Sequence, residues 1–166
     1  MIFKKGSLKH LVSSLMRRPP SQADIGAFYR AACEGNDLTV TLCIDRYGVN
    51  IINARNSIGQ TALGGAALGG QAHIAAVLLK NGAEVDALNN EGLTPLMIAA
   101  QHGFGKAAEV VVLLLEKGAS VVTQDNSYKT AQDYAEKNGH PEIAAQLRIT
   151  RQARYEAISP LYHPGK

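Results

Sequence analysis

Cysteine is scarce in this chain, with Cys33 and Cys43 the two present. A disulfide framework needs more cysteines. The C-x-x-C spacing of a structural zinc site is absent. Cys33 and Cys43 read as two buried or half-buried thiols in a reducing compartment. Long apolar runs are missing, so no stretch approaches the roughly 20 apolar residues of a membrane-spanning helix. Acidic residues are missing from residues 1–23, where Lys4, Lys5, Lys9, Arg17 and Arg18 give +5. Residues 24–147 hold 8 basic and 13 acidic side chains, a balance of −5, and residues 148–166 return to +3. The basic charge therefore sits in the flanks. An acidic body argues against a nucleic-acid platform.

Catalytic signatures are absent as well. The histidines, His10, His73, His102, His140 and His163, make no HExxH pattern. Gly65 and Gly70 have the glycine spacing of a phosphate loop, but Gln71 and Ala72 follow where Lys and Ser or Thr are required. Gly103-Phe104-Gly105-Lys106 lacks the upstream glycine. No Ser/His/Asp set is brought together by spacing. The reading is no enzyme, no cofactor and no metal.

What the chain has is an echo at a spacing of 33. Thr61-Ala62-Leu63 and Thr94-Pro95-Leu96 open the same pattern. Ala66-Ala67 and Ala99-Ala100 follow, then Gly70 and Gly103. Leu78-Leu79-Lys80-Asn81-Gly82-Ala83 is matched by Leu114-Leu115-Glu116-Lys117-Gly118-Ala119. A period of this length marks a stacked repeat. Such a stack presents a surface rather than a deep pocket.

Each repeat reads as two short helices. Thr61 and Thr94 are N-caps, whose hydroxyl accepts from an unpaired first-turn amide. Pro95 sits where a missing N–H costs nothing. The alanine pairs allow close packing. Gly70 and Gly103 end the first helices, and Gly82 and Gly118 the second. Ile74, Val77 and Leu78 share one helical face. The spacing predicts helix pairs over 61–69 and 72–81, 94–102 and 106–117, and 130–138 and 141–150. The last continues toward Ala157. The first pair is predicted over 24–34 and 37–47. Extended structure is expected in the connecting turns alone. Gly64 and Gly65 weaken their helix, so the second repeat is the expected soft spot.

The pattern extends in both directions. Thr130-Ala131 through Gly139-His140 repeats it after a step of 36, which places a three-residue insert within Gly103 to Ala108. Upstream, Ala31-Ala32 and Gly35 match with Gly26 in the Thr position, and two extra residues fall within Tyr47 to Asn53. The domain is expected over 24–150, with repeats at about 24–55, 56–88, 89–124 and 125–150. The terminal repeats are atypical, as caps require.

The run Asn90-Glu91-Gly92-Leu93-Thr94-Pro95-Leu96-Met97-Ile98-Ala99-Ala100 resembles the opening of an ankyrin repeat. Leu78 to Ala87 resembles its ending. The likeness covers about Asp24 to Leu147. It implies an all-α fold, an ankyrin-repeat solenoid of paired antiparallel helices with loop fingers. The family's usual His after Pro-Leu is replaced by Tyr29, Gly64, Met97 and Asp133. The resemblance therefore does not carry over the inter-repeat hydrogen bonds of that His.

The flanks admit two readings. In residues 1–23, Leu8, Leu11, Val12, Leu15 and Met16 form one helical stripe among basic residues. That suits a helix capping the first repeat, and also a membrane surface reached through residues 1–18. Residues 151–166 read as a tail.

Function by resemblance is binding of a protein partner through the concave surface, as a scaffold or adaptor. The family's contact positions map to Cys33 and Glu34 in the first repeat and to Ser57, Ile58, Gln60 and Leu68 in the second. In the third they map to Asn90, Glu91, Leu93, Gln101 and His102. In the fourth they map to Asn126, Ser127, Lys129 and Lys137. Ile58, Leu68 and Leu93 are apolar where exposure is expected, which suits anchors of a hot spot. Alternatives are a membrane-associated adaptor and an inhibitor, accessory subunit or bacterial effector acting on an enzyme. The expectation is a cytoplasmic monomer that binds no nucleic acid, with a secreted effector left open.

Overall fold

The computed structural model describes residues 18–102 and 106–158. Among these residues the regular structure is helical throughout, with no β-strand. The first helices are α1 (Gln22–Glu34), α4 (Ala62–Leu68), α6 (Pro95–His102) and α8 (Ala131–Lys137). The second helices are α2 (Asp37–Tyr47), α5 (Ala72–Lys80), α7 (Ala107–Glu116) and α9 (Pro141–Ile158). A short α3 (Val49–Ile52) follows α2. It occupies the stretch where two extra residues were expected. The basic N-terminal stripe, Gly103 and residues 159–166 of the tail lie outside the described residues.

The caps explain where the first helices begin. The Thr61 hydroxyl accepts from the Gly64 amide at 3.4 Å, and the Thr94 hydroxyl from the Met97 amide at 3.2 Å. Thr130 and Asp133 form a reciprocal capping box. In the first repeat the expectation fails: Gly26 lies inside α1. Ser21 is the N-cap, and its box partner is Asp24. The Asp24 carboxylate accepts from the Ser21 amide at 2.9 Å and from its hydroxyl at 2.6 Å. A true capping pair outcompetes a glycine that merely falls in phase.

The first helices pack in sequence, α1 on α4, α4 on α6 and α6 on α8. Behind them α5 packs on α7, and α7 touches α9. Ala66, Ala67, Ala99, Ala100 and Ala135 are fully buried along the first row. Ile74, Ala75 and Leu78 of α5 are matched by Val110, Val111 and Leu114 of α7 in the same core. Each Val, Leu or Ile among them contributes roughly 1.5–3 kcal/mol on burial. The phase is thus kept across the three-residue insert. The insert is spread out: α6 exceeds α4 by one residue, α7 exceeds α5 by one, and the connector between the two helices is one longer.

Glycine sets the spacing of α1 and α4. A Cβ on Gly65 would lie 2.8 Å from the Tyr29 carbonyl oxygen, and one on Gly69 would lie 1.9 Å from that of Cys33. Gly64 is different, because its nearest neighbour would be the Ile98 methyl at 3.5 Å.

Candidate interaction surface

Three connecting loops fold back as fingers, built the same way from residues in repeat register. The Asn56 side-chain carbonyl accepts from the amides of Ile58 and Gln60 at 3.1 and 3.0 Å. Asn89 accepts from Glu91 and Leu93, both at 2.9 Å. Asp125 accepts from Ser127 and Lys129 at 2.9 and 2.8 Å. One short polar side chain thereby satisfies two turn amides and closes each finger. These three residues escaped the sequence reading, although their spacing repeats that of the Thr caps.

Neighbouring fingers are tied together. The Asn90 amide donates to the Ile58 carbonyl at 3.3 Å, and the Asn126 amide to the Glu91 carbonyl at 3.1 Å. Lower down, Asn53 donates to the Gly82 carbonyl at 3.0 Å and accepts from the Glu84 amide at 2.9 Å. Asp86, its equivalent one repeat on, accepts from the Ser120 amide at 3.0 Å. Arg55 donates to the Leu88 carbonyl. Inter-repeat bonds therefore exist without the missing His, carried by backbone amides and by Asn, Asp and Arg side chains.

The fingertips differ at one position. Gly59 and Gly92 have φ of 75° and 79°, and Tyr128 stands in the same register with φ 61°. The two glycines also make room, since their missing Cβ atoms would strike Asn90 and Asn126 of the next finger. Beyond Tyr128 no further finger follows among the described residues. The ring is 81% exposed. An aromatic side chain held in the left-handed region at a fingertip is a candidate anchor. It was missing from the sequence-derived set.

The residues of that set divide by exposure. Ser57, Ile58, Asn90, Glu91, Asn126 and Ser127 are exposed on the fingers. Glu34, His102 and Lys137 are exposed at the ends of first helices, and Cys33, Leu68 and Gln101 are half-buried there. Gln60 and Lys129 are half-buried at the base of their fingers. Leu93 is the correction. It is 7% exposed and belongs to the core. Its carbonyl accepts from the Asn89 amide, which turns the returning arm of the finger inward. At that inward position the apolar Leu93 is taken up by the core, whereas Gln60 and Lys129 stay half-exposed. Leu93 is therefore no surface anchor.

Asp125 and Tyr134 form a hydrogen-bonded pair beneath the last finger. Burial alone would raise the Asp125 carboxyl. The Tyr134 hydroxyl, donating at 2.5 Å, and the Lys129 and Ser127 amides outweigh it and hold the group below the ordinary aspartate range. Burial and the Asp125 hydrogen bond push Tyr134 up to about 12. Both cysteines are free and half-buried, and burial raises their thiols, so neither is an activated nucleophile. Among the described residues no cluster of three His, Cys, Asp or Glu side chains could hold a metal. No described helix is long and apolar enough to cross a membrane.

Stacked helix pairs joined by mutually tied fingers define a helical repeat solenoid. The family described as "Ankyrin repeats (3 copies)" matches residues 28–125 and 86–157. The chain belongs to the ankyrin-repeat family. It is 30% identical over 158 residues to the ankyrin repeat and KH domain-containing protein mask-1 of Caenorhabditis elegans, covering 87% of this chain and 6% of that protein. It is 39% identical over 83 residues to the potassium channel AKT3 of Oryza sativa subsp. japonica, covering 50% of this chain and 9% of the channel. It is 44% identical over 71 residues to the ARF GTPase-activating protein GIT2 of Mus musculus, covering 42% and 10%. The chain thus spans a tenth or less of each of these relatives. Ankyrin repeats are in general protein–protein interaction modules.

Proposed function

We propose that this chain is a non-enzymatic binding module whose protein partner docks on the fingertips and the exposed ends of the first helices. The observation that carries this reading is the row of fingers held in register by Asn90 and Asn126, with apolar or aromatic side chains outward at Ile58 and Tyr128. Rigid fingers lower the ordering cost of association. Aromatic and aliphatic anchors then supply most of the affinity. The acidic body favours a basic or neutral partner.

The test begins with crosslinking and mass spectrometry on the full chain to identify the partner, followed by calorimetry on variants. Ile58→Ala with Tyr128→Ala is expected to weaken binding by about 2 kcal/mol or more. Adding His102→Ala extends the test to the helix ends. Thermal melts of these surface variants should shift little, about 0.5 kcal/mol per site. Leu78→Ala, at a buried position, should lower stability by roughly 2–5 kcal/mol and weaken binding through unfolding alone. Full affinity in the folded triple variant would remove this face from consideration.

A further inference from the structure

The last helix outruns the stack. From Arg151 onward α9 projects beyond its repeat, and its residues are exposed apart from the half-buried Arg154. The Arg154 guanidinium donates to the Ala119 and Leu115 carbonyls at 2.7 and 3.1 Å. A cation on carbonyls at and just beyond a helix C-terminus is favourable. It pins the projecting end of α9 against the loop that follows α7.

A groove of ≈ 770 Å³ opens between them. Val121 and Val122 form one wall, and Tyr155 and Ile158 the other. Val122, Tyr155 and Ile158 are 59%, 69% and 63% exposed. Arg148 and Arg151 lie along the rim, and no acid lines the groove. Asp133 lies close enough to Arg151 for its own carboxyl to be affected, whereas Arg148 has no acidic partner among the described residues.

We propose that this groove is a second docking site, distinct from the fingers, for a partner segment with an aliphatic or aromatic residue flanked by carboxylates. The apolar walls take the side chain, and Arg148 and Arg151 take the acids. Charge decides among occupants. Residues 159–166 of this chain carry Lys166 and His163 and no acid, so they complement the rim poorly. A nucleic acid brings a charge with every nucleotide against a body of net −5, where a short peptide brings one or two.

The test is fluorescence anisotropy with the full chain and a panel of labelled short peptides. Each has a central Leu, Ile or Phe flanked by Asp and Glu, by Ser, or by Lys. A single-stranded oligothymidylate is the further probe. Acid-flanked peptides should bind at least about tenfold more tightly than Ser-flanked ones, a difference of ~1.4 kcal/mol. Arg148→Glu with Arg151→Glu should abolish that preference and favour Lys-flanked peptides. Val122→Asp should weaken all the peptides. Ile58→Ala with Tyr128→Ala should leave them unchanged, which separates this site from the fingers. Circular-dichroism melts verify that each variant folds. Several results would overturn the proposal: no binding by any peptide, equal binding of acidic and neutral peptides, or stronger binding of the oligonucleotide. Tighter peptide binding after Leu161→Ser with Tyr162→Ser would overturn it too, because the chain's own tail would then be the occupant.

Discussion

Two adjacent glycines in α4 serve opposite ends. Gly64 faces ordinary space, so Gly64→Ala should gain helix propensity and stabilise the chain by about 0.5–1 kcal/mol. Gly65 faces the Tyr29 backbone at a distance no Cβ tolerates. Gly65→Ala should therefore destabilise by about 1–3 kcal/mol despite the same gain in propensity. Urea unfolding of the two variants checks the pair, and equal effects would refute this packing of α1 on α4. From sequence alone the two positions were indistinguishable and read together as a weakness. What separates them is the approach of a helix more than thirty residues away.

At the level of the element, the Ser21–Asp24 box has a pH signature. Hydrogen bonds from the Ser21 hydroxyl and amide lead the effects that bring Asp24 from 3.8 down to about 2. A carboxyl lowered on folding stabilises the native state above its unfolded pKa, and that stability is lost as pH falls through the folded value. Asp24→Ala should therefore melt below the wild type at neutral pH, and the gap should close between about 3.8 and about 2. A gap that persists at the acid limit would show that the carboxylate's charge is not what stabilises the cap. Thr130, without its box partner Asp133, was visible as an extension of the Thr register. Ser21 was not, because it precedes the repeat phase and Gly26 occupied the expected position. The fingers show a related limit. Asn56, Asn89 and Asp125 are turn-forming residue types, but nothing local says which amides they serve. Leu93 was misplaced for the same reason: facing inward is a property of the folded finger.

For the whole molecule, the repeat period, the helix pairs and the alanine core were legible because they recur in register. Contacts between registers were not, and the candidate site is made of them. A stack in which each repeat touches its neighbours alone loses stability toward its ends. Native-state hydrogen exchange should be slowest in α4 and α6, which have partners on both sides. It should be fastest in residues 151–158, where α9 leaves the stack. Uniform protection along the chain would refute nearest-neighbour stability.

The two rows of helices meet through residues of unequal size. Alanine and glycine let the first row close up, while Ile74, Leu78, Val110 and Leu114 hold the second apart. Unequal residues of this kind taper a repeat, and tapered repeats stacked in one sense make an arc. The radius of that arc is written in side-chain volume, residue by residue. A protein docked as proposed would have to match that curvature before any side chain at the tips is read.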